Sequence, residues 1–117
     1  MHSSRKFIKI FFSLIALSLN FQYALASSED QMAFAVAKQN ACLGCHASNK
    51  KIVGPSFRAI AQKYKDDPKA QFFLKNKITK GGAGSWGVVP MPANTKLTDA
   101  DLSLLTSWVL RGAPNKN

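Results

Sequence analysis

Acidic side chains are scarce in this 117-residue chain: six Asp and Glu stand against 16 Lys and Arg, a formal net charge of +10. Nucleic acid would suit so basic a chain, but no recognition motif accompanies the charge. Histidine and cysteine are scarcer still, two of each, at His2, His46, Cys42 and Cys45. A structural zinc site needs about four N or S ligands, so one could form only by recruiting the distant His2. No segment alternates with a convincing strand period, no internal repeat occurs, and the βαβ pattern of a thioredoxin-like protein is missing. Long apolar runs are absent as well. The best, Ile10 to Leu19, is about half of the roughly 20 residues that span a bilayer as a helix.

That run belongs to an export signal. Arg5, Lys6 and Lys9 form a positive region, Ile10 to Leu19 the apolar stretch, and Ala24-Leu25-Ala26 the small residues that a signal peptidase inspects. Residues 1–26 are therefore expected to be a signal peptide cut after Ala26, with residues 27–117 forming one small domain. No cysteine at the cut site offers a lipid anchor; if the segment stays uncut, the alternative is a subunit tied to a membrane complex. Export implies the periplasm, where two nearby cysteines oxidise to each other unless something captures them first. Removing Arg5, Lys6 and Lys9 leaves 13 basic residues against 6 acidic ones, a formal +7. Lys63, Lys65, Lys69, Lys75, Lys77 and Lys80 crowd one stretch, either as a solvated helix face or as a surface that steers an acidic partner.

The only cysteines lie in Cys42-Leu43-Gly44-Cys45-His46, a CxxCH run of the kind that attaches a c-type haem. Residues at i and i+3 neighbour each other on a helical turn, so both thiols can reach the two vinyl groups of one porphyrin. The histidine one place later can then offer an imidazole nitrogen to the iron, which makes His46 the proximal ligand. A Cys42–Cys45 disulfide or a redox dithiol is the competing use of CxxC. A mature chain of 91 residues, the 117 less the 26, has a poor ratio of buried to exposed surface, so a bound haem is expected to serve as core as well as cofactor.

Helices account for most of the rest. Ser27 and Ser28 before Glu29 and Asp30 start a helix that runs to about Gln39. Ser56 caps a short helix through about Tyr64, and Pro68 opens a third that runs to Lys80 and stops at Gly81-Gly82. Thr98 caps the last, with Asp99 and Asp101 in its first turn and Arg111, Gly112 and Pro114 as stop signals. From Gly81 to Lys96, glycines and two prolines predict loop throughout. The expected class is all-α.

An iron with one histidine has a sixth position. Two methionines follow the signal, Met32 and Met91. Met32 sits at helical spacing, where packing is the usual role. Met91 stands between Pro90 and Pro92, which stiffen its backbone and lower the entropy lost in presenting its thioether; the alternative is a gap-filling side chain under a loop.

Together with CxxCH, Val53-Gly54-Pro55, the block Gly84-Ser85-Trp86-Gly87-Val88-Val89-Pro90-Met91-Pro92-Ala93-Asn94, and Trp108-Val109-Leu110 resemble the short bacterial class I cytochromes c, the cytochrome c-551/c-552 type. The resemblance covers about Glu29 to Arg111. It implies a small class I cytochrome c fold, four to five helices wrapped around one haem c attached through Cys42 and Cys45. It implies His46 and Met91 as iron ligands, a Pro55 carbonyl accepting from His46, a Trp86 indole donating to a haem propionate, and an Asn94 side chain against the axial sulfur. Lys77 falls where the family places a basic residue near a propionate. The family's aromatic late in the first helix is missing from Val36-Ala37-Lys38, and Phe34, on the same face as Ala37, is expected to replace it.

The function so implied is a soluble, monomeric, periplasmic one-electron carrier of a respiratory chain, not an enzyme. Its partners would be redox proteins: a bc1-type donor and a reductase or oxidase with an acidic docking surface. The alternative is a gas-binding or peroxidase-like haem protein in which Met91 is displaceable.

Overall fold

Four α-helices and one short hairpin make up residues 28–114, the part of the chain that the computed structural model describes. The expected signal segment, its cut site and the capping role of Ser27 lie outside the described residues. Helix α1 covers 28–39. It ends at Ala41, which turns left-handed at φ 59° and leads into a 3₁₀ turn at Cys42–Gly44. Helix α2 is Phe57–Lys63, started by the Ser56 hydroxyl accepting the Ala59 N–H at 3.1 Å. Helix α3 is Ala70–Lys80 and stops at Gly81, φ 67°. Helix α4, Asp99–Leu110, opens on a reciprocal Thr98–Asp101 capping box and closes where the Ala113 N–H returns to the Trp108 carbonyl at 2.9 Å.

Two local expectations change. Pro68 does not open α3: Asp67 receives the Lys69 N–H at 2.8 Å on its carboxylate and the Ala70 N–H at 3.0 Å on its carbonyl, so Pro68 sits in a turn before the helix. The stretch after α3 is not all loop. Strands β1, Gly82–Gly84, and β2, Gly87–Met91, pair antiparallel around a Ser85-Trp86 turn. Gly82, Gly84 and Gly87 all have positive φ, from 101° to 112°, which lets so short a hairpin close. Pro90 is tolerated because a two-stranded ribbon has only edge strands. The register is irregular between Gly82 and Gly84, and β2 carries the extra length.

The core forms where α4 meets the other helices. Trp108 is fully buried among Ala33 and Ala37 of α1, Phe57 and Ile60 of α2, and Leu74 of α3. Its indole N–H is satisfied by the Pro114 carbonyl at 3.2 Å. The alanines let α1 approach closely, and Phe34 meets the Trp108 ring edge-on with centroids 6.3 Å apart, the contact expected of it in place of the missing aromatic. Arg111 to Asp30 at 2.6 Å ties α4 to α1, and Lys75 to Asp99 at 2.9 Å ties α3 to α4.

Candidate functional site

Between the CxxCH turn, α2, α3, the hairpin and α4 lies an apolar cleft of about 1060 Å³, its open mouth included. Phe57, Ile60, Leu74, Leu105 and Val109 form its floor and walls. Cys42, Cys45, His46 and Met91 all line it, as do Trp86 and Lys77.

His46 is held from several directions. Its N–H donates to the Cys42 carbonyl at 2.9 Å, closing the turn, and its backbone bridges to Lys51. Nδ1 lies 2.7 Å from the Pro55 carbonyl oxygen. A carbonyl can only accept, so Nδ1 carries the proton and Nε2 keeps the lone pair. Phe57 stacks on the imidazole, centroids 5.4 Å apart and planes 21° from parallel. A side chain at Gly54 would place its Cβ within 3.0 Å of three ring atoms of His46, Cε1 most closely. The loop that makes this fit is fixed by the Gly54 N–H donating to the Cys45 carbonyl at 2.8 Å.

The two thiols are not joined to each other. Burial pushes the Cys42 thiol up, its backbone hydrogen bond opposes that, and the nearby Cys45 adds to it.

Met91 ends β2 opposite Gly82 and is half-buried. The chain beneath it turns tightly: a Cβ on Gly81 would clash with the Met91 carbonyl and lie 2.7 Å from the Ala93 nitrogen. Asn94 is not part of the cleft wall. Its N–H donates to the Ile78 carbonyl at 2.8 Å, its side-chain oxygen accepts the Lys96 N–H at 3.1 Å, and its amide reaches Asn40 Oδ1 at 3.4 Å. Trp86 is at the hairpin tip, 43% exposed, and its indole N–H donates to no protein atom among the described residues. Three contributors have roles that the sequence did not assign: Gly54, named only as part of Val53-Gly54-Pro55, Phe57, whose place just after a helix cap is a weak signal, and Lys63, counted only as one of the clustered lysines.

This donor set fits a haem. Two nearby thiols, a lone-pair imidazole nitrogen and a thioether share one apolar cleft, while the Lys77 ammonium and the Trp86 N–H offer hydrogen bonds to carboxylates.

Residues 32–112 match the Cytochrome c family. Among curated relatives, the chain is 44% identical over 75 residues to cytochrome c-552 of Nitrosomonas europaea, covering 64% of this chain and 73% of that protein. It is 41% identical over 75 residues to cytochrome c-551 of Allochromatium vinosum, covering 64% and 80%. The crystal structure of wild-type Nitrosomonas europaea cytochrome c552 superposes with a TM-score of 0.64 at 42% identity, over 67% of this chain and 96% of that one. The class 1 cytochrome MtoD of Sideroxydans lithotrophicus superposes with a TM-score of 0.62 at 26% identity, over 70% and 94%.

Proposed function

Because the chain belongs to the cytochrome c family, whose members carry electrons, as a class I cytochrome of the c-551/c-552 type, we propose that it is a soluble periplasmic one-electron carrier whose haem iron is ligated by His46 and Met91. One haem c is covalently attached through Cys42 and Cys45. One observation carries the ligand assignment: an imidazole whose Nδ1 is committed to Pro55, leaving Nε2 as its lone-pair nitrogen, lines the same cleft as the proline-bracketed thioether. When bound, the haem supplies one-electron exchange between Fe(III) and Fe(II), with the soft sulfur favouring the reduced ion.

The protein's own residues set the conditions for that exchange. Pro55, Gly54 and Phe57 fix the tautomer and plane of His46, so neither changes when charge does. With haem bound, Trp86 and Lys77, which line the cleft, would donate to its propionates. Asn94, which is not in the cleft wall, would act on Met91 only through the segment that it ties to Ile78 and Lys96, and not by the direct side-chain contact that the resemblance implies. Residues 1–26 direct export and are removed after Ala26. The mature protein works as a monomer between a bc1-type donor and an oxidase or reductase with an acidic docking face.

The oxidised holoprotein is expected to show the weak far-red absorption band of iron–sulfur ligation, and Met91→Ala to abolish it. A wild-type protein without the band removes Met91 from the site. Carbon monoxide added to the reduced protein should bind negligibly at neutral pH; rapid binding instead supports a gas-binding or peroxidase-like role. N-terminal mass analysis of exported protein decides the cut.

A further inference from the structure

The hairpin that carries Trp86 and Met91 is poorly anchored for a part of the site. All of β1 and the first four residues of β2 are exposed, with Val88 at 92% and Val89 at 63%. Among the described residues, one hydrogen bond joins residues 82–91 to the rest of the protein: the Lys63 ammonium at the end of α2 donates to the Ser85 carbonyl at 2.6 Å. The same Nζ lies 4.5 Å from the centroid of the Trp86 ring and 5.8 Å from that of Tyr64. Both rings line the cleft.

An ammonium bound to a carbonyl and seated over an indole does two things at once. It fixes the backbone of the tip, and it presses the ring into one orientation. The tip has only Ser85 and Trp86 between Gly84 and Gly87, and neither glycine supplies a side chain to hold them. Lys63 is a capable anchor because it leaves from the last turn of a helix whose other face is core, through Phe57 and Ile60. Lysine also suits the place. Its long stem reaches across 22 positions of sequence to a carbonyl, a bond that an acidic residue cannot donate.

We propose that Lys63 is the positioning residue of the hairpin: by clamping Ser85 and Trp86 against α2, it keeps Trp86 and Met91 on the wall of the cleft. The effect on Met91 rests on the ligand assignment above, whereas the effect on the hairpin does not.

The test uses the oxidised holoprotein and its Lys63→Ala and Lys63→Arg variants. Amide hydrogen exchange over residues 84–91 should quicken about tenfold in Lys63→Ala, as expected for losing one charge-assisted hydrogen bond with a cation–π contact, and exchange in α4 should not change. The far-red band should disappear at a lower temperature than the helix signal in Lys63→Ala, while the two coincide in the wild type. Lys63→Arg, which can both donate and stack, should restore wild-type behaviour in each. Unchanged exchange in Lys63→Ala, or an arginine variant no better than alanine, overturns the assignment of Lys63. Quickened hairpin exchange in a protein whose band never depended on Met91 supports the clamp while removing the ligand assignment.

Discussion

At Gly54 the protein has no room for one more carbon. Its backbone does not need the left-handed region, so the effect of Gly54→Ala comes from space alone: the new Cβ meets the Cε1, Nδ1 and Nε2 atoms of His46. The imidazole has nowhere to retreat, because Phe57 stacks on it and Pro55 holds Nδ1. Overpacking a fixed contact of this kind destabilises by roughly 1–3 kcal/mol. Denaturant unfolding of the holoprotein should register that loss, and the low-spin EPR pattern, which reports imidazole orientation, should shift as well; a variant with wild-type stability and spectrum would refute the contact. That Cys42, Cys45, His46 and Met91 would come together on one cleft was legible because the signal is local: the first three are nearly adjacent, and Met91 is marked by its prolines. Lys63 was not, since nothing in a lysine at position 63 announces a partner at position 85.

Among the elements, the two ends of the helical framework hold opposite lessons. Thr98 and Asp101 cap α4 reciprocally, with Thr98 Oγ1 accepting the Asp101 N–H at 3.1 Å; the sequence marks Thr98 as the cap, and the structure adds the return bond to Asp101. Thr98→Ala should therefore destabilise the holoprotein by about 1 kcal/mol, a fall in Tm that calorimetry can read. Ala41, which ends α1 just before the haem-binding turn, breaks a local rule: at φ 59° it occupies the left-handed region with a Cβ. That conformation costs an L-residue about 1–2 kcal/mol, while a glycine there would lose about 0.4–1 kcal/mol more backbone freedom on folding. The strain is the larger of the two, so Ala41→Gly is expected to stabilise by roughly 0.5–1 kcal/mol; a lower denaturation midpoint would contradict the balance. The hairpin was hidden for a related reason. Glycines and prolines read as loop because their scarcity in strands reflects central strands, whereas a two-stranded ribbon on the surface needs few paired N–H groups and uses positive φ freely.

For the whole molecule, covalent haem and charge act together. Phe57, Ile60, Tyr64, Leu74, Leu105 and Val109 face the cleft, so withdrawing the haem would leave an apolar hollow at the centre of a domain too small to compensate. Chemical removal of the haem should cost the protein most of its far-UV helix signal; an apoprotein that stays helical would show that the helices pack without it. The chain without its first 26 residues carries a formal +7, which the two propionates reduce by about two, and among the described residues the structure shows two acidic side chains, Asp30 and Asp99, in salt bridges. Much of the positive field is therefore unopposed at the surface and reaches about 10 Å at 0.1 M salt. An anionic oxidant such as ferricyanide should react with the reduced protein faster at low ionic strength, falling on the order of tenfold by 0.5 M salt. A cationic cobalt complex should show the reverse slope, because the same field repels it. Stopped-flow measurements with both reagents separate steering from any general effect of salt on the haem: parallel slopes, or two flat lines, would mean that the lysines do not guide encounter.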